Sequence, residues 1–189
     1  MNSGNGAIFL DRDGTINQMI PCQYVVSMWD FHFIEGALEA LVELAQQSER
    51  KIVVVTNQSP IGRGYAARAE VDAVHGYMTE HVERAGGRID AIYVCPHAPW
   101  EGCACRKPAP GLFHQAIRDL DLDPEQCCLV GDTKHDLMAA WAAGIRDCYL
   151  VLTGKPLENF LPESSNNTYA VYASLADAAK AILRGERDD

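Results

Sequence analysis

The sequence has no long hydrophobic run. Nowhere do its apolar residues approach the roughly 18 consecutive positions that a membrane-spanning helix needs. The first residues, MNSGNGAIFLDRDG, lack the basic start and the small-residue cleavage site of a secretory signal. A cytoplasmic protein without a membrane partner is therefore expected. Positive charge is also scarce: 16 Lys and Arg stand against 26 Asp and Glu, a formal net charge of -10. That balance argues against wrapping a polyanion such as DNA. A small phosphorylated ligand stays open, because a local cluster of cations and amides can outweigh the global field. Neither an internal repeat nor a linker breaks the 189 residues, so one domain over 1–189 is expected.

Cysteine is the residue in excess. There are seven, an odd number, and a chain without an export signal favours metal ligation over disulfides. Cys95, His97, Cys103 and Cys105 fall within eleven residues of one another. A C-x-H arm and a C-x-C arm can close around one tetrahedral zinc ion with no open coordination position. A disulfide or free thiols are the plainer readings of the same residues. Cys127, Cys128 and Cys148 lie in or beside apolar runs and are expected to be small buried hydrophobes.

Short apolar runs alternate with helical patterns. Residues 7–10, 52–55, 91–94, 128–130, 149–152 and 169–172 are predicted strands. Helical spacing of apolar residues marks 35–47, 71–82, 113–120, 137–143 and 175–183. Such alternation predicts an α/β fold, with a mostly parallel central sheet covered by helices on both faces. The polar stretch 154–168 reads as a surface loop and the tail from 185 as frayed.

Open parallel sheets bind ligands at the carboxyl ends of their strands. In this chain those ends read DRDGT, TNQS, CPH and GDTKHD. Asp11 and Asp13 stand two residues apart behind a buried strand, where one carboxylate can attack phosphorus and the other can handle a proton. Thr56 and Asn57 can hydrogen-bond phosphate oxygens, Lys107 can neutralise charge, and Asp132 with Asp136 can complete a divalent-metal site. Each has a bland counterpart: a turn aspartate, a surface lysine, or an acidic helix start. Their joint order is what carries the chemistry.

DxDGT, a strand ending in Thr, a Lys and a GD with a further Asp resemble the four motifs of the haloacid dehalogenase (HAD) superfamily of phosphatases. The resemblance spans essentially the whole chain and implies the Rossmann-like HAD fold. It implies Asp11 as nucleophile, Asp13 as general acid and then base, and Thr56 and Lys107 as stabilisers of the transferring phosphoryl group. Mg²⁺ would be held by Asp11, the Asp13 backbone carbonyl and Asp132, with Asp136 in an outer shell. DRDGT, TNQS-x-I-x-RG and CPH…CxCRKP-x-PG resemble a narrower group, which holds the D-glycero-D-manno-heptose 1,7-bisphosphate 7-phosphatases and the histidinol-phosphatase domains. That resemblance implies hydrolysis of a small phosphorylated sugar, in the supply of nucleotide-activated heptose for lipopolysaccharide; a monomer is expected. Asn57, Gln58, Ser59, Arg63 and Arg106 would bind substrate, and zinc would be a structural ion at Cys95, His97, Cys103 and Cys105. Histidinol phosphate is the alternative substrate, and a catalytically idle zinc-stabilised module is the alternative class. Heptose enzymes usually carry Gly and Ala where this chain has Pro60 and Gly62. No large cap insertion is expected, so the pocket wall falls to loops 18–24 and 59–64 and to the cysteine loop.

Overall fold

The computed structural model describes residues 5–154 and 168–185. Six strands form one parallel sheet: β1 (Ala7–Leu10), β2 (Lys51–Asn57), β3 (Ala91–Cys95), β4 (Cys128–Gly131), β5 (Asp147–Val151) and β6 (Ala170–Tyr172). Their spatial order is β3-β2-β1-β4-β5-β6. The chain winds outward from β1 to β3, then returns to the other side of β1 for β4. A crevice opens at the carboxyl ends of β1 and β4, where the winding reverses.

The side chains of β1 alternate between two cores. Ile8 and Leu10 join a cluster with α1 (Ala37–Gln47), α3 (Arg68–Arg84) and α6 (Leu175–Arg184). Ala7 and Phe9 join the opposite cluster with α4 (Gly111–Asp119) and α5 (Lys134–Ala142). All four residues are completely buried, as expected for a parallel strand covered on both faces. The predicted α/β architecture is therefore the observed one.

The boundaries differ where polar residues open an element. α3 begins at Arg68 and α5 at Lys134, each a turn before its apolar stripe. β5 begins at Asp147, ahead of its apolar run. A four-residue helix, α2 (Ser59–Gly62), lies within what reads as a loop in the sequence. The stretch 155–167 and the tail beyond Gly185 lie outside the described residues. Cys127, Cys128 and Cys148 are buried, as expected. Among the described residues, no helix is long and apolar enough to cross a membrane.

Candidate active site

The expected strand-end residues converge on one pocket of about 200 Å³. Asp11, Asp13, Thr56, Asn57, Gln58, Ser59, Arg106, Lys107, Asp132 and Asp136 all line it. Thr133 and His135 also line it, and Met19, Ile20, Gln23, Tyr24 and Val25 complete the wall, so the loop after β1 forms the rim as predicted.

Lys107 is the electrostatic centre. Its Nζ donates to the Val55 carbonyl (2.8 Å) and pairs with Asp11 Oδ1 (2.9 Å) and Asp136 Oδ1 (2.5 Å). With only 3% of its surface exposed, this is no solvated surface lysine. Its backbone is clasped by Asn57, whose Oδ1 accepts from Lys107 N and whose Nδ2 donates to the Lys107 carbonyl, both at 3.1 Å. Asn57 thus fixes the lysine. Asp136 combines two tasks. Its Oδ2 accepts from Thr133 N at the start of α5, while Oδ1 faces Lys107.

Asp11 and Asp13 occupy different environments. Burial pushes the Asp11 carboxyl up; Lys107 opposes this and Asp136 adds to it, leaving it at about 7. Burial also pushes Asp13 up, but the Arg12 charge and hydrogen bonds from Arg12, Asn17 and Gln58 outweigh it and hold the group below 3.8. Asp13 Oδ1 accepts from Arg12 Nη2 (2.7 Å) and Asn17 Nδ2 (3.0 Å), and Oδ2 from Gln58 Nε2 (2.9 Å). Gln58 also donates to Thr56 Oγ1 at 2.9 Å. Sequence reasoning missed Arg12, Asn17 and His75 as parts of this network. Arg12 is the variable position of DxDGT and Asn17 follows the motif by two residues, but nothing in their spacing announces them.

Asp11, Asp132 and Asp136 each offer a carboxylate oxygen, all within 4.8 Å of one another. An all-oxygen donor set suits a hard divalent cation such as Mg²⁺. The Asp13 side chain is committed elsewhere, so only its backbone carbonyl could join. Space there is tight. Gly14 has φ +86°, and a Cβ on it would stand 2.5 Å from Asp132 Oδ2. Glycine at 14 serves both the turn and the approach of Asp132.

Cys95, His97, Cys103 and Cys105 also come together, again within 4.8 Å. The sulfurs of Cys95 and Cys103 are 3.6 Å apart and those of Cys103 and Cys105 are 3.5 Å apart. Bonded sulfurs would lie about 2.05 Å apart, so these are not disulfides. Ligands about 2.3 Å from a tetrahedral zinc stand roughly 3.7 Å from each other, close to what is seen. Three sulfurs and a ring nitrogen fit that ion.

The loop is docked as well as clustered. Gln58 N donates to the Cys95 carbonyl and Gly62 N to the Pro96 carbonyl, both at 2.8 Å. A Cβ at position 62 would stand 2.5 Å from Ala98 N and Glu101 Oε2. The departure at Gly62 therefore lets the cysteine loop close onto α2. Arg63 does not line the pocket, contrary to its expected placement. Its guanidinium sits 4.8 Å from the centre of the Trp100 ring, on the cysteine loop. A flat ring offers that cation a better-defined seat than the open mouth does.

A family model of HAD-hydrolase-like proteins matches residues 104–178. The D-glycero-beta-D-manno-heptose-1,7-bisphosphate 7-phosphatase of Haemophilus ducreyi is 45% identical over 82% of this chain and 87% of its own. The protein of that name from Escherichia coli K12 is 39% identical over 96% of this chain and 95% of its own. Among solved structures, D,D-heptose 1,7-bisphosphate phosphatase from B. bronchiseptica, complexed with magnesium and phosphate, superposes with a TM-score of 0.86. It is 35% identical and covers 95% of this chain and 99% of its own. Similarity of this degree along nearly the full length shows that the chain belongs to the D-glycero-beta-D-manno-heptose-1,7-bisphosphate 7-phosphatase family of HAD-like hydrolases.

Proposed function

We propose that this protein is a Mg²⁺-dependent phosphatase that removes the 7-phosphate of D-glycero-D-manno-heptose 1,7-bisphosphate through a phosphorylated Asp11. The observation that carries the reading is the convergence of Lys107 Nζ with the Asp11, Asp132 and Asp136 carboxylates at the strand ends. Its working place would be the cytoplasm, in the supply of activated heptose for lipopolysaccharide.

Asp11 Oδ1 is held by Arg12 N (2.7 Å) and Lys107 Nζ (2.9 Å), which leaves Oδ2 to attack phosphorus. As that bond forms, the ester oxygen departs with its electron pair and takes a proton from Asp13. Asp13 then removes a proton from water. The water oxygen bonds to phosphorus, the Asp11–phosphorus bond breaks, and the carboxylate is restored. Thr56 and Lys107 face the phosphoryl oxygens throughout. Mg²⁺, held by Asp11, the Asp13 carbonyl and Asp132, would neutralise the charge of the phosphate dianion and favour the ionised form of Asp11. Asp13 must be protonated when substrate is bound. The approach of the dianion favours that, because a like charge raises a carboxyl's proton affinity.

The rim supports a sugar phosphate over histidinol phosphate. Among the described residues, every carboxylate of the pocket belongs to the phosphoryl centre, and the wall of Met19, Ile20, Gln23, Tyr24 and Val25 offers none to an amine or imidazolium. Arg106 lines the same pocket and suits a second anion. Parallel kinetics on both heptose bisphosphate anomers, histidinol phosphate and fructose 1,6-bisphosphate test this. The expected order places one heptose anomer first in kcat/KM. A higher value for histidinol phosphate would overturn the substrate assignment.

Zinc at the cysteine loop belongs to the same reading. Purified protein is expected to carry about one zinc per chain, separate from exchangeable Mg²⁺, because thiolate and imidazole select zinc while carboxylates select magnesium. Cys103→Ser should lower zinc content and loosen the segment leading into Arg106 and Lys107. Activity should then fall with Mg²⁺ in excess while the sheet persists. Elemental analysis beside activity decides it; fully active, zinc-free protein after metal-replete expression would contradict the assignment.

A further inference from the structure

Arg12 is a charged side chain with no exposed surface, and phosphoryl transfer by itself leaves it unexplained. Its guanidinium ties three segments together. Nη2 donates to Asp13 Oδ1 (2.7 Å) and to the Val25 carbonyl (3.1 Å), which belongs to the pocket rim. Nη1 lies 3.2 Å from Nε2 of His75. That histidine is carried by α3, whose other inward residues Val71, Val74, Met78 and Val82 are apolar. It is 5% exposed and does not line the pocket.

The pair has a defined polarity. A guanidinium only donates, so His75 Nε2 must accept, and the ring must be neutral with its proton on Nδ1. Its surroundings keep it so. Burial lowers its proton affinity, Arg12 lowers it further, and Asp13 and Asp72 oppose only in part, leaving about 4. The two terminal nitrogens of a guanidinium share one rigid plane. Seating Nη1 on the imidazole therefore fixes the direction in which Nη2 meets Asp13. The neutral amides of Asn17 and Gln58 hold the same carboxylate from other sides, but Arg12 is its charged partner.

We propose that His75 is a positioning residue, which locks Arg12 so that the Asp13 carboxyl is aimed at the leaving oxygen. The inference rests on the acid–base role of Asp13 given above. It assigns His75 an effect on protonation of the leaving group and none on capture of the phosphoryl group.

That division has its own readout. The parameter kcat/KM covers the steps through first release of the alcohol, whether or not loss of phosphate from Asp11 limits turnover. An aryl leaving group departs without help, whereas a sugar alkoxide needs a proton. His75→Leu, which keeps the bulk and removes the acceptor, should leave kcat/KM for 4-nitrophenyl phosphate within about threefold of wild type. For the heptose bisphosphate it should fall by about tenfold or more, a part of what a general acid contributes. His75→Gln, whose amide oxygen can accept from Arg12, should restore most of that loss. If circular dichroism shows His75→Leu unfolded, Arg12→Lys gives the same reading. Its ammonium can meet Asp13 but has no rigid plane for the imidazole to fix. Equal losses on both substrates, or no loss on either, overturn the proposal. Asp13→Asn run in parallel separates the two layers. If it spares the aryl phosphate and cripples the sugar phosphate, the acid role stands and only His75 is under test. If it affects both alike, the acid role fails and the proposal fails with it.

Discussion

Asp11→Asn is expected to abolish turnover while leaving the fold intact. The amide nearly matches the carboxylate in shape, and its oxygen can still accept from Arg12 N and Lys107 Nζ, the two donors that hold Asp11 Oδ1. Replacing Oδ2 by a nitrogen removes the attacking oxygen and weakens the site for a hard cation. The loss in kcat should exceed about a thousandfold, which corresponds to roughly 4 kcal/mol or more. Kinetics with Mg²⁺ in excess and a circular dichroism spectrum check both halves. A variant with a tenth of wild-type activity would contradict Asp11 as nucleophile.

Lys107→Ala should be nearly as severe in turnover and more damaging to the fold. Lys107 Nζ stands between two buried carboxylates. Without it, Asp11, already at about 7 and drawn down chiefly by Lys107, rises further and becomes a protonated, poor nucleophile at neutral pH. The transferring phosphoryl group also loses a cation, which costs about 10²–10³ in kcat for a single stabilising donor. Stability should fall by about 3 kcal/mol, as expected when one member of a buried ion pair is removed. The deficit should shrink at acid pH, where Asp11 can be neutral in folded and unfolded chain alike, and grow as pH rises through its range. Urea unfolding at acid and neutral pH tests the trend. Arg106→Ala should differ. Among the described residues, the Arg106 guanidinium makes only a long 3.4 Å contact to the His97 carbonyl, so it is available to substrate. Its loss should lower kcat/KM for the bisphosphate and leave a small aryl phosphate nearly unaffected.

Much of this site is legible in the chain because parallel strands impose a simple rule. Fully buried runs such as AIFL and IVVV announce themselves by lacking polar residues, and whatever polar residue follows must stand at the sheet's carboxyl edge. That logic places Asp11, Thr56 and Asp132 correctly. Lys107 is found on different grounds, from its position before α4 and its match to a motif. Elements that begin with polar residues are harder to delimit. Arg68 to Glu70 open α3 with only the small Ala69 between two charges, and Lys134 to Asp136 open α5 with no apolar side chain at all. Four residues of α2 are too few to show a period.

Contacts between distant segments leave no trace at all in spacing. Arg12 and His75 are 63 positions apart and meet only because the fold brings α3 beside the segment that follows β1. Arg63 reads as a pocket residue beside TNQS, yet Trp100 takes its guanidinium. The role of Gly62 becomes visible only once the cysteine loop is seen lying against it.

The central claim is that phosphate passes through Asp11. Wild-type protein turning over the heptose bisphosphate with Mg²⁺ can be quenched in acid, digested and analysed by mass spectrometry. A phosphorylated peptide that contains Asp11, with the phosphate mapped to that residue and absent from Asp11→Asn, is the predicted result. Phosphate mapped to another residue during turnover would contradict it.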